Sequence, residues 1–290
     1  MNIGEKIKNL RTSKLMTQKE LSGDVITRNM LSQIESGSAL PSLQTLIYLA
    51  NRLGVPVGYL VSDGGTNETF YKKYSNYPNI VESYKSGEWE ICRDLCIECF
   101  SEGGDNEITY MLAQASMHLG MSYFGEGRLK AAVRMFEETL DYSALTVFDI
   151  GGILSCVSAH AEIMSLISPS LNLEISKKTE SDIICTNDIC KFSSALITEA
   201  DQAIIPSEGE WANPNFFYIL SAKSLMENGN YEAAIALLSH VCEDSMLPRP
   251  IMYLALDDYE KCCKETGDYK DAYEISQARM QLFEKMLADN

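Results

Sequence analysis

Arg28, Asn29, Ser32 and Gln33 are the residues of this chain whose types and spacing best suit recognition chemistry. On a helix they share one side. An arginine guanidinium forms paired hydrogen bonds with guanine, an Asn or Gln amide does so with adenine, and a serine hydroxyl serves either base. Four such side chains on one outward face can read base edges in a DNA major groove. For an isolated helix a merely solvated polar face is the better reading, so the surrounding elements decide.

Those elements follow from local rules. An opening helix from about Ile3 to Lys14 places Ile3, Ile7 and Leu10 on one side. Thr17 starts a second helix, and Glu20 three places on completes a capping box. Leu21, Val25 and Ile26 are expected to supply apolar contacts across the next turn. Thr27 caps a third helix, with Leu31 and Ile34 pointing inward and the four readers pointing out. Gly37 stops it by entering left-handed backbone space. Ser42 caps a fourth helix carrying Leu43, Leu46, Ile47, Leu49, Ala50 and Leu53, which Gly54 ends. Val55 to Leu60 adds a last short helical turn.

With these pieces in place, residues 3–61 resemble the Cro/cI-type helix-turn-helix (the XRE family) of phage repressors and many bacterial regulators. The matching residues are Leu10-Arg11, Thr17-Gln18-x-Glu20-Leu21, Leu31-Ser32-Gln33-Ile34-Glu35-x-Gly37, Pro41-Ser42-x-x-Thr45-Leu46 and Leu53-Gly54-Val55. The resemblance implies that Gln18 touches phosphate and braces the readers, and that Arg28, Asn29 and Gln33 contact bases. It also implies that Arg11 pairs with Glu35 as a structural ion pair. The expected DNA-binding set is then Thr17, Gln18, Lys19, Thr27, Arg28, Asn29, Ser32 and Gln33. Two departures stand out: a turn one residue shorter than usual, and a Ser38-Ala39-Leu40 stretch without basic residues.

Charge sharpens this division of labour. The chain carries a formal net charge of -17, yet residues 1–63 hold seven Lys/Arg against five Asp/Glu, which leaves -19 for the remainder. A strongly acidic body repels a phosphate backbone. A head of net charge +2 implies modest nonspecific affinity. Two heads held together are therefore expected, as a homodimer on half-sites roughly one helical turn (~34 Å) or a multiple apart.

Beyond a short hinge at Asp63-Gly64-Gly65-Thr66-Asn67 the apolar period becomes helical. The expected domains are 1–63, binding DNA, and 64–290, a body able to bury a large core. Four segments of the body share Gly-x-(aromatic or Leu)-x-x-(Ala or Cys): Gly87 to Cys92, Gly127 to Ala132, Gly229 to Ala234 and Gly267 to Ala272. This resembles the tetratricopeptide repeat, in which glycine opens the turn of a helical hairpin and the small residue permits close packing. The fold class expected is all-α: a five-helix lambda-repressor-like head, then a solenoid of about five hairpins. One long or two degenerate hairpins fill Thr146 to Ile205, with Ser168-Pro169-Ser170 and Lys177-Lys178-Thr179-Glu180 as loops.

Cys92, Cys96 and Cys99 have a spacing that suggests metal ligands, but they sit where a repeat's second helix needs small packing residues. No paired Cys-x-x-Cys modules close a zinc site, and Cys185 with Cys190 and Cys262-Cys263 are no better placed. His118, His160 and His240 fall inside helical segments, and no phosphate loop or nucleophile elbow occurs. No metal, cofactor or enzymatic activity is expected. Nine thiols, no signal peptide and no 18-residue apolar run suggest a reducing cytoplasm and no membrane.

A DNA-binding head on an acidic solenoid resembles the RNPP (Rgg- and PlcR-like) regulators of Gram-positive bacteria. That resemblance implies dimerisation through the solenoid and an extended signalling peptide in its concave groove. On standard repeat geometry Gln114, Met117, Met121 and Phe124 face such a groove in one hairpin, and Phe216, Ile219 and Lys223 in a later one. The alternatives are that another helix or a partner covers this face, and that the body is a protein-docking scaffold without a small ligand.

Overall fold

The computed structural model describes residues 2–61, 66–100, 105–171, 173, 187–197 and 207–288. The hinge residues Asp63 to Gly65, the loop Lys177 to Glu180, Cys185 and most of the stretch between 172 and 206 lie outside them. Among the described residues every regular element is a helix, and none is long and apolar enough to cross a membrane. The chain divides into two compact units, residues 1–86 with 94–104, and residues 87–93 with 105–290.

The first unit begins with α1 (Ile3–Ser13), α2 (Gln18–Ser22), α3 (Arg28–Glu35), α4 (Leu43–Leu53) and α5 (Val57–Val61). Each of the first four starts at a side-chain cap, from Asn2, Thr17, Thr27 and Ser42. Asn2 with Glu5, and Thr17 with Glu20, form reciprocal capping boxes that satisfy otherwise unpaired backbone donors. Ile7, Leu21, Leu31, Ile34, Leu49, Leu53 and Leu60 close into one buried core. Val25 corrects the expectation of an apolar contact across the turn, being 64% exposed. The backbone reverses at Gly23, at φ 52°, and the expected inward contacts come from Leu21 and Ile26 alone. The unit continues in α6 (Thr66–Ser86) and the later part of α7 (Trp89–Cys99), where Asn76 Nδ2 lies 3.6 Å from Cys99 Sγ.

The second unit is built from helical pairs: α8 (Asn106–Gly125) with α9 (Leu129–Ser143), α10 (Gly151–Ile167) with α11 (Asp188–Ile197), α12 (Asn215–Glu227) with α13 (Tyr231–Val241), and α14 (Arg249–Thr266) with α15 (Tyr269–Leu287). The repeated signature explains the turns. Gly87, Gly127, Gly229 and Gly267 all have φ between 72° and 84°, where only glycine is free of strain. The amide after the glycine then donates five residues back, Arg128 to Tyr123 at 2.8 Å, Asn230 to Leu225 at 2.9 Å and Asp268 to Cys263 at 2.9 Å. This closes the preceding helix. The small residues five places after each glycine, Cys92, Ala132, Ala234 and Ala272, are all buried.

Pairs distant in sequence also meet. α10 packs on α8 and α14, α8 packs on α14, and α9 packs on α15. The apolar α10 is thus surrounded, with Ile153, Val157, Ile163 and Met164 buried in the core of the unit.

Candidate nucleic-acid interface

The interface is built on α3, whose buried Leu31 and Ile34 fix which side faces out. Arg28, Asn29, Ser32 and Gln33 are all exposed on the opposite side. The side chains of Asn29, Ser32 and Gln33 make no hydrogen bond to another described residue, which leaves their donors and acceptors open. Thr17 and Thr27 spend a hydroxyl lone pair on the caps, accepting from Glu20 N at 3.2 Å and Met30 N at 3.1 Å. Each hydroxyl proton remains able to meet a phosphate oxygen. Lys19 is exposed beside them on α2.

Beneath this face runs a polar relay. Arg11 grips Glu35 with two donors, Nε to Oε1 at 2.6 Å and a terminal nitrogen to Oε2 at 3.1 Å. A third donor reaches the Met16 carbonyl at 2.8 Å. Gln18 Nε2 donates to the same carboxylate at 2.8 Å, and Gln18 Oε1 lies 3.5 Å from Arg28 Nε. The bond to Glu35 raises the pKa of Arg11 above its ordinary value. At the neighbouring cap, hydrogen bonds from Thr17 hold the Glu20 carboxyl below the usual carboxylate range.

Sequence reasoning missed several residues that set the pitch of α3. Gly4 lies against the end of α3, where a Cβ would stand 2.0 Å from the Ile34 carbonyl oxygen. Tyr48 donates to the Ser22 carbonyl at 2.9 Å, and Arg52 donates to the Glu20 carbonyl, so α4 holds α2 from behind. Lys6 is buried and donates to the Tyr59 carbonyl at 3.0 Å, joining α1 to α5. A glycine in the first turn of an otherwise good helix is the one local signal of such a close approach.

The residues expected to line a concave groove lie elsewhere than expected. Met117, Phe124, Phe216 and Ile219 are buried in the core of the second unit. α10 covers the α8 face: the Phe124 ring meets His160 edge to face at 4.7 Å, and Cys156 Sγ is 3.5 Å from Met121 Sδ. Phe216 is enclosed by Phe192 of α11 at 5.3 Å and by the Trp211 ring at 5.9 Å. Gln114 donates to the Tyr110 hydroxyl at 3.0 Å, and Lys223 pairs with Asp258 of α14 at 2.5 Å. These side chains face no open groove because residues of α10 and α11 pack on them.

His118 and His160 pack against neighbours, and His240 is exposed on α13. His118 stacks on Trp89 at 3.9 Å. His160 is buried, donates from Nδ1 to the Cys156 carbonyl at 2.7 Å, and has its pKa pushed down by burial to about 4. Burial pushes the Cys242 thiol up to about 11 and, with nearby negative charge, the Cys262 thiol likewise. Thiols so protonated are poor nucleophiles.

A helix-turn-helix family model matches residues 7–60 of the chain. The cryptic phage CTXphi transcriptional repressor RstR of Vibrio cholerae is 33% identical over 86 residues, 29% of this chain and 76% of that repressor. Among solved structures, PlcR of Bacillus thuringiensis in complex with a peptide and DNA is 15% identical, with 98% of this chain and 95% of that one covered and a TM-score of 0.23. ComR of S. thermophilus in complex with DNA and its signalling peptide is 18% identical, with 89% and 99% covered and a TM-score of 0.26. Scores this low carry no argument about the present chain, whereas the likeness to the repressor runs over three-quarters of its length. On this likeness to the repressor and the matched helix-turn-helix, the chain belongs to the XRE-type helix-turn-helix family and is a DNA-binding transcriptional regulator.

Proposed function

We propose that the chain recognises a specific operator as a homodimer. α3 enters the major groove, with Arg28, Asn29, Ser32 and Gln33 on base edges. Thr17, Gln18, Lys19 and Thr27 engage the flanking phosphates. One observation carries this reading: four exposed side chains of base-reading type project from a helix whose orientation is fixed by the Arg11–Glu35–Gln18 relay. Residues 1–63 form the DNA-binding part on this reading, and 64–290 the dimerising and sensing part. The low positive charge of the head supports two copies acting together. Footprinting of a bound operator tests it: two protected half-sites about 34 Å or a multiple apart support a dimer. A single protected half-site with no second copy on the DNA contradicts it.

For the body, the resemblance to peptide-sensing regulators supports a short peptide as effector, acting in the cytoplasm on an acidic surface that suits Lys or Arg. The burial of Met117, Phe124, Phe216 and Ile219 favours instead a body that docks a protein partner, because a peptide along that face has to displace α10 and α11. Titration with basic and acidic peptide libraries separates the two. Selective binding of basic peptides supports sensing, and equal binding of both libraries, with a stoichiometric protein co-purifying, supports docking.

A further inference from the structure

Three cationic residues of the second unit line one cavity. It has a volume of about 410 Å³ and is lined by Glu126, Gly127, Arg128, Arg249, Lys285 and Ala288. The lining comes from three places: the turn between α8 and α9, the first residue of α14 and the last turn of α15. The turn is seated tightly, since a Cβ on Gly127 would lie 2.9 Å from Arg249 Cδ and 3.0 Å from Met286 Cγ. Arg128 lies over the Tyr123 ring at 4.2 Å and 3.6 Å from Glu126. Arg249 and Lys285 are exposed, and neither has an ion-pair partner among the described residues. Glu126 is the one carboxylate among the described residues of the lining.

This arrangement runs against the composition around it. Residues 64–290 carry 36 Asp/Glu against 17 Lys/Arg, whereas the described residues of the lining hold three cations to one acid. Like charges gathered at one place repel unless an anion lies among them. Guanidinium groups present forked donors that match carboxylate and phosphate oxygens in pairs, and an ammonium adds a point charge. The volume suits a small organic molecule and exceeds what a bare phosphate fills. The start of the 18-residue α14 adds a weaker field of the same sign.

We propose that this cavity binds a small organic polyanion, a phosphate ester or a di- or tricarboxylate, through Arg128, Arg249 and Lys285. The bound anion bridges the α8–α9 turn to α14 and α15, elements far apart in sequence, and so stabilises the packing of α8 and α9 on α14 and α15. This site stands apart from the reading of α3, and nothing in it depends on DNA recognition.

Calorimetric titration of the full chain with pyrophosphate, citrate and ATP, against chloride at matched ionic strength, tests the site. At least one of the three is expected to bind at one equivalent, and the preferred one distinguishes phosphate from carboxylate chemistry. Arg249→Gln and Lys285→Gln are each expected to weaken that binding about tenfold or more, as loss of a charge-assisted contact does. Helicity is expected to stay at its wild-type level. Should Arg249→Gln fail to fold, Lys285→Gln alone decides. Absence of binding to all three probes beyond chloride overturns the site, and so does undiminished binding by folded Lys285→Gln. Operator binding, measured on the same samples, reports separately on α3.

Discussion

Gln18 donates to the Glu35 carboxylate at 2.8 Å, from the first turn of α2 to the last residue of α3. Glu35 also neutralises Arg11, and both side chains are largely buried, at 4% and 12% exposure. Removing one member of such a pair leaves a charge in a poorly solvated place. Glu35→Ala is expected to cost about 3 kcal/mol of stability, read by urea unfolding. Replacing both charges, as Arg11→Met with Glu35→Leu, is expected to recover much of that stability. Operator affinity stays reduced in the double variant because Gln18 no longer has an anchor. Full recovery of affinity would show that the relay does not position the readers.

Gly4 tests the same positioning from the other side. A methyl group there meets a backbone carbonyl, which cannot rotate away as a side chain could. Gly4→Ala is expected to move α1 from α3, to cost roughly 1–3 kcal/mol as overpacking does, and to weaken operator binding. Unchanged stability and affinity would mean that α1 and α3 sit farther apart than described.

Gly120 plays the equivalent part in the body. Its missing Cβ makes room for Phe136, whose ring carbon would be 2.6 Å away. Gly120→Ala is expected to destabilise the second unit by roughly 1–3 kcal/mol, with partial recovery when Phe136→Leu is added. Thermal unfolding of the single and double variants checks this.

His160 predicts a pH dependence. Its folded pKa is about 4, whereas an unfolded histidine titrates near ~6.5. Between these values the unfolded chain takes up a proton that the folded chain refuses. The contribution is fully present above about pH 6.5 and is lost as pH falls towards the folded value. The slope approaches ~1.4 kcal/mol per pH unit, and the total is on the order of 3 kcal/mol. His160→Leu is expected to flatten that part of the stability curve, measured by urea unfolding from pH 7.5 to 4.5. A variant curve parallel to wild type rejects the assignment.

The start of α2 and the ends of α3 and α4 were legible in the sequence because caps are local: Thr17, Thr27, Ser42, Gly37 and Gly54 each act within a few residues of themselves. The four signature glycines revealed the helical turns of the body for the same reason. Residues whose role comes from distant partners were hidden. Gly4 matters through Ile34, Tyr48 through Ser22, and Val25 faces out because of how the chain turns at Gly23. The inner face of the body was misread for a related reason. Met117 and Phe124 have the spacing of a groove lining, but their exposure depends on where α10 goes, and no spacing rule within α8 encodes that.

Selection of bound DNA from a random pool, run in parallel with wild type, Arg28→Ala and Lys19→Ala, tests the central claim most directly. Wild type is expected to enrich one motif. Arg28→Ala is expected to lose roughly 1–3 kcal/mol of preference at a single base of it. Lys19→Ala is expected to keep the motif, bind all sequences more weakly and lower the salt slope by about one. An Arg28→Ala protein that enriches the wild-type motif with wild-type affinity would show that α3 does not read the operator.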